Sequence, residues 1–336
     1  MLNLLHSIFS IGEQRGPYPA SLIEMATERA VEGTDPRIRA LPGYGHKLRQ
    51  SVIHAIDHVI ALVDAFLEEP VKVDSTTYGK DPRFGAIFAS AVSMLDILGR
   101  DQTLRDYLET PEGRGAAQVY TLLLAERAER HILGMDLVGD QVRRDVAQVE
   151  VSFFAHRLVE PHAYADETRC QLKRRAFDYL LTQALDRIST ANLERLDLAH
   201  QRDLVTRKLR AMEQGGSIFK VADGDQPDLA SLMAELDEIT RHLHELGPDQ
   251  AILETHLDIL VEVLGNAEQE LWSKPITLFL DAMNIVRDEH EATTRRIDLM
   301  ELHGGKDRRL IMLPLIITPD QLPAPVDFLT ALERYY

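Results

Sequence analysis

Between Ala116 and Glu160 the chain runs 45 positions without a proline. From Thr121 onward its apolar residues recur at alternating intervals of four and three: Ala125, Ala128, Ile132, Met135, Gly139, Val142, Val146, Val149 and Phe153. A seven-residue period marks a helix that holds one narrow stripe against a partner along a long contact. Arg127, Arg130, Asp136, Asp140, Arg143, Arg144, Glu150 and Arg157 fall off the stripe, as a wetted flank requires. The spacing predicts one long helix, roughly 65 Å if unbroken at 1.5 Å per residue. Gly134 and Gly139 are where it would bend, since glycine weakens a helix interior by about 1 kcal/mol.

Composition supports a helical expectation. Aromatics make up only 6% of the 336 residues, and a 45% hydrophobic content suffices for a substantial core. The one cysteine, Cys170, excludes an internal disulfide framework and a cysteine-cluster metal site within one chain, so the cytoplasm is the simplest location. No run reaches the ~18 apolar residues of a membrane span. Met1 to Ile11 is apolar but lacks a basic lead and a clear cleavage site. It reads as a segment tucked on the core, with a membrane-touching helix as the alternative. The net charge of −17 is concentrated: residues 215–303 hold 6 basic against 19 acidic groups. Such a field repels nucleic acid and anionic membranes.

Helical spacing also predicts helices from Ser21 to Glu32, from the Leu41–Gly45 turn to Leu67, near 86–98 and 101–109, and from Glu167 to about Ile188, continuing to Met212. Ser189 to Asn192 is either a turn or a weak spot in one helix. Gly215-Gly216 ends that run, and Ala222 to Pro227 has a linker's composition. Leu229, Leu232, Leu236, Ile239, Leu243 and Leu246, then Leu253, Leu257, Leu260, Leu264, Ala267 and Leu271, predict two helices joined at Gly247-Pro248-Asp249 as an antiparallel hairpin. A short helix is expected from Pro275 to Val286. Val71 to Val73 is a scrap of strand. Thr293–His303 and Arg308–Thr318 predict a β-hairpin about Gly304-Gly305-Lys306-Asp307, with Pro314 placing the second strand at an edge or ending it early.

Candidate chemistry is sparse. His54 and His58 stand four apart on a helix, the spacing two ligands need to reach one metal, with His46 as a distant third. The plainer reading is a pair of hydrogen-bonded histidines at a helix edge. Gly43, Gly45, Lys47 and Arg49 form a flexible, basic turn at a helix start, able to hold a phosphate or carboxylate. The glycine before the lysine and the Ser or Thr after it that a P-loop needs are both missing. Cys170 lies among Arg169, Lys173, Arg174 and Arg175, which would favour its thiolate. That basic cluster is either a solvated helix face or a dock for the acidic 215–303 region. Glu126, Glu129, His131, Glu150 and His156 lack the Glu-x-x-His spacing of a di-iron site.

The sequence alone thus predicts a mainly α protein, a multi-helix bundle with long heptad-patterned helices and a small C-terminal β-hairpin. Its regions are an N-terminal helical region, 1–115, a long-helix central region, 116–222, and an acidic helical hairpin with the C-terminal β-hairpin, 223–336, either separate or packed as one domain. The function expected is that of a non-enzymatic scaffold or protein–protein interaction protein, self-associating or binding another protein, without cofactor, transmembrane segment or nucleic-acid ligand. The rivals are a metal-dependent enzyme using His54 and His58, and an anion- or nucleotide-responsive regulator using the Gly43–Arg49 turn.

Overall fold

The stretch read as one long helix is a pair of strands. The computed structural model describes residues 18–323 apart from 68, 75, 139–140, 215–228, 246–248, 292 and 306–307. Strand β2 (Val119–Val138) and strand β3 (Gln141–His162) pair antiparallel along their whole length, with Val138 opposite Gln141. Together with β1 (Val71–Val73), β4 (Leu271–Leu280), β5 (Arg295–Gly304) and β6 (Arg308–Ile317) they form a six-stranded sheet. Strands hold 27% of the described residues and helices 57%, so a mainly α bundle with one small hairpin is incorrect, as is an all-α class. Beta-branched and aromatic residues decide the outcome: Val119, Thr121, Ile132, Val149, Val151, Phe153 and Phe154 fit a pleated, half-buried surface better than a helix.

The chain falls into two compact units, each discontinuous in sequence. One comprises residues 56–177 and 267 onward, the other residues 17–55 and 178–266. The boundaries cut helix α2 (Tyr44–Phe66) and helix α7 (Ala165–Gln214), which is continuous through Ser189–Asn192.

The first unit is built on the sheet, in the order β3-β2-β6-β5-β4. β1 lies parallel to β6 at Leu315–Ile317, and β5 pairs with β6 only as far as Met312. Pro314 therefore stands where neither flanking strand reaches on that side, which is how a central strand accommodates a residue with no N–H. The expectation that Pro314 marks an edge does not hold. Nor does the helix expected from Pro275: that proline lies in β4, at the outer edge of the sheet. One sheet face carries Val119, Leu123 and Ala125 of β2 beside Ile311, Leu313 and Leu315 of β6. Helices α3 (Thr77–Lys80), α4 (Pro82–Ile87), α5 (Ala91–Gly99) and α6 (Gln102–Glu109) form between β1 and β2. Phe84, Met94, Leu98 and Leu104 from the last three complete the core on that face. Asp81, Ser90 and Asp101 cap α4, α5 and α6 by accepting from the N–H groups of Arg83, Ser93 and Leu104.

The sheet is rolled. After β4, Asn284 accepts from the Val151 N–H of β3 and Val286 donates to Val149, while Arg287 donates to Phe279 of β4. One short segment thus joins the two outermost strands, which occupy opposite ends of the strand order.

In the second unit, helix α1 (Ala20–Glu32) starts one residue before Ser21, so the expected Ser21 cap lies inside the first turn. Helix α8 (Leu229–Glu245) and helix α9 (Asp249–Gly265) form, but the second ends at Gly265 instead of running on to Leu271, which opens β4. Leu232 and Ile239 of α8 are buried with Val205 and Leu209 of α7, and half-buried Leu236 packs on the same cluster. Leu257, Leu260 and Leu264 of α9 are buried. Helix α10 (Ala267–Glu270) belongs to the first unit and leads into β4. No helix among the described residues is long and apolar enough to cross a membrane. The expectations for Met1–Ile11, Gly139, Gly215-Gly216, Ala222–Pro227, Gly247-Pro248 and Lys306-Asp307 lie outside the described residues.

Candidate functional site

β2 pairs with β6 only from Val119 to Glu126. From Arg127 onward its strand partner among the described residues is β3 alone, and past the contact of Val149–Val151 with residues 284–286 the hairpin continues as a two-stranded arm. Ala128 to Val138 would span about 35 Å at ~3.3 Å per residue. The arm is wetted on both faces: Glu129, Arg130 and His131 are exposed, and Leu133 and Met135 are 72% and 65% exposed. A two-stranded ribbon in water is marginally stable, and large apolar side chains on one signal a surface awaiting a partner.

The two edges of the arm differ. Tyr120 to Val138 is 19 residues, and the β3 segment opposite, Gln141 to His162, is 22. The three extra residues enter β3 as bulges, where the register shifts between Tyr120 and Leu122, Leu124 and Glu126, and Gly134 and Asp136. Each contains one residue with left-handed backbone: Glu160 at φ +49°, Ala155 at +51° and Asp145 at +60°. Bulges bend a strand and spoil its outer edge for pairing. The β3 edge is further occupied at Val149–Val151 by the 284–286 segment. β2, which takes none of the extra residues, keeps a regular outer edge from Ala128 to Val138. Gly134, expected as a helix bend, is a strand residue whose missing side chain leaves room for the Gln148 amide.

At the root of the arm sits a buried charge cluster. Glu301 of β5 is 0% exposed, and Arg127 of β2 places Nε and a terminal nitrogen 2.8 Å from its Oε1. His303 Nε2 is 2.9 Å from Oε2, and Lys274 Nζ is 3.6 Å from the same oxygen. Burial alone would raise the Glu301 pKa, but the hydrogen bonds and charge of Arg127, with His303, hold it below the usual value. Trp272 stacks on His303 with ring centres 3.9 Å apart and planes within 3°, and Lys274 Nζ lies 5.6 Å from the Trp272 ring. Arg127 also pairs with Glu129 on the arm. A carboxylate this fully engaged is an anchor rather than a proton donor. It ties β5 to β2 one residue beyond the last β2–β6 pair.

The residues singled out in the sequence are placed as follows. His54 is exposed on α2; His58 is half-buried, with Nε2 2.7 Å from the Leu271 carbonyl oxygen, a site that a metal would have to displace. Among the described residues no group of three or more His, Cys, Asp or Glu side chains is arranged to hold a metal ion. Gly43, at φ +77°, precedes the first turn of α2 and accepts from His46 and Lys47 through its carbonyl. Gly45 and Arg49 lie within the helix; the Lys47 ammonium pairs with Asp258, and Tyr44 donates to Glu28. Any anion at that turn would meet two carboxylates. Burial pushes the Cys170 thiol up to about 11, outweighing the nearby cations. Lys173, itself buried, pairs with Asp64; Arg169 approaches Asp64 and Asp166, and Arg175 bonds Glu160.

A buried polar network escaped notice in the sequence. In the second unit His256 is 1% exposed, with Nδ1 2.8 Å from Asp35 Oδ2 and Nε2 3.2 Å from Asn192 Oδ1. Arg37 adds Nε, a terminal nitrogen and its backbone N–H to the same carboxylate. Burial would raise the Asp35 pKa, but these bonds lower it to about 2. The three partners lie far apart in the chain, so no local motif announces them. Comparison of the chain with known family models, curated proteins and solved structures returns no match.

Proposed function

We propose that this chain is a non-enzymatic interaction protein whose contact element is the β2–β3 arm. The observation that carries this reading is the regular β2 edge from Ala128 to Val138, which has no strand partner among the described residues, beside exposed Leu133 and Met135. Such an edge offers main-chain donors and acceptors to an incoming strand, the chemistry of β-strand addition. The acidic surplus of residues 215–303 favours a protein over a nucleic acid as partner. The test is a comparison of intact chain with a variant in which Leu133 to Ala147 is replaced by Asn-Gly, closing the hairpin on the paired residues Ile132 and Gln148, each used as bait in lysate of the source organism. Proteins retained by the intact chain and lost by the trimmed one, further copies of the chain included, are the expected result. Identical retained sets would overturn the proposal.

A further inference from the structure

The same arm specifies its partner. We infer that a second copy of this chain pairs antiparallel along the β2 edge, with Leu133 of each copy on the twofold axis; this rests on the arm being the interaction element. A twofold between antiparallel strands stands perpendicular to the sheet, so residues that meet must share a face and the axis must pass through a pair of identical residues. The free edge runs from Ala128 to Val138, and Leu133 is its middle residue, so this register alone pairs the full length.

Charge selects the same register. An axis at Arg130 sets arginine on arginine, and one at His131 pairs only Ala128 to Gly134 and brings no opposite charges together. Axes at Ile132 or Gly134 bring no opposite charges together. The axis at Leu133 sets Arg130 opposite Asp136, twice by symmetry. Arg130 already bonds Glu150 across the hairpin at 2.9 Å, but it is well exposed and its guanidinium can serve a second carboxylate. The other edge of the arm is unsuited to this role, since β3 is interrupted by the Asp145 bulge and covered from Val149 to Val151.

Residues opposite one another in antiparallel strands have Cα atoms about 4.5–5.5 Å apart, within disulfide range. The native thiol, Cys170, is buried and does not compete. In full-length chain, Leu133→Cys is expected to form a disulfide-linked dimer under mild oxidation. Met135→Cys, on the same face, is expected to stay unlinked, because position 135 meets His131 rather than its own copy. Sedimentation of the unmodified chain should show a concentration-dependent dimer. Arg130→Asp should weaken it at least tenfold, and Arg130→Asp with Asp136→Arg should restore it. A chain that sediments as a monomer up to about 100 μM, equal linking at 133 and 135, or no rescue by the charge swap would overturn the inference. A monomer whose arm still retains a different protein in the lysate comparison would overturn the dimer and leave the interaction proposal standing.

Discussion

Arg127→Met isolates the anchor at the root of the arm. The substitution keeps most of the side-chain volume and removes the guanidinium that places two nitrogens on Glu301 Oε1. Breaking a buried ion pair from one side typically costs 3–5 kcal/mol, because the remaining charge is left without its partner in a poorly hydrated place. Glu301 would keep His303 at 2.9 Å and half-exposed Lys274 at 3.6 Å, so the low end, about 3 kcal/mol, is expected. Glu301→Leu on the same background removes the stranded charge and should recover part of that loss. The double variant should therefore be more stable than Arg127→Met alone. Urea unfolding followed by circular dichroism, extrapolated to water, measures each member of the cycle. The pH dependence has a definite sign. Glu301 has a lowered pKa in the folded chain, so its contribution is present above the ordinary glutamate value and fades as pH falls through the folded one. The gap between the native chain and Arg127→Met should shrink below about pH 4. Additive effects of the two substitutions, or an unchanged gap in acid, would refute this account of the anchor.

Asp35→Asn should cost about 1–3 kcal/mol near neutral pH. Because Asp35 is lowered to about 2, its contribution should hold above about pH 4 and disappear between there and pH 2, which acid titration of both proteins would show. Leu260→Ala, at a fully buried site, should cost about 2–5 kcal/mol, whereas Leu236→Ala should cost less and Glu235→Ala, on the exposed face, no more than about 0.5. Ala155→Gly should stabilise by up to about 1 kcal/mol, since left-handed backbone costs an L-residue roughly that much, and Ala155→Val should do the reverse in the same melts. Cys170, buried and raised to about 11, should react with a thiol probe at pH 8 only slowly until denaturant is added; rapid native labelling would contradict its placement.

The helices were legible because their apolar stripes are broad and their ends punctuated: Leu48, Val52, Ile56, Val59 and Val63 mark the buried face of α2 before Pro70. The strands at 295–304 and 308–317 were legible for a similar reason, a pair of extended runs around a glycine turn. The arm was misread because β2 lacks a clean alternation there: Ala125, Ala128, Ile132 and Met135 fall on both faces of the strand, as a ribbon exposed on both sides permits. Alternation is plain at Val149, Val151 and Phe153, and the one bulge inside the pattern, at Asp145, shifts the parity between Val142 and Val146. Gly139-Asp140 between two β-branched runs was the available hairpin signal. Neither Arg127–Glu301 nor Asp35–His256 could be read from spacing, since the partners lie 174 and 221 positions apart.

The position of β6 bears on how this chain is made. Among the described residues it is the last strand in chain order, so it leaves the ribosome after β1 to β5, yet it sits in the middle of the sheet and pairs with β1, β2 and β5. The β2–β6 pairs join residues 184 to 198 positions apart, so forming them closes very long loops, and such topologies fold slowly. The β2–β3 hairpin is local and can form during synthesis. Until β6 arrives, however, the Val119–Glu126 edge remains open along with the arm, and a nascent chain in that state is a target for chaperones and for unwanted strand exchange with its neighbours on the same message.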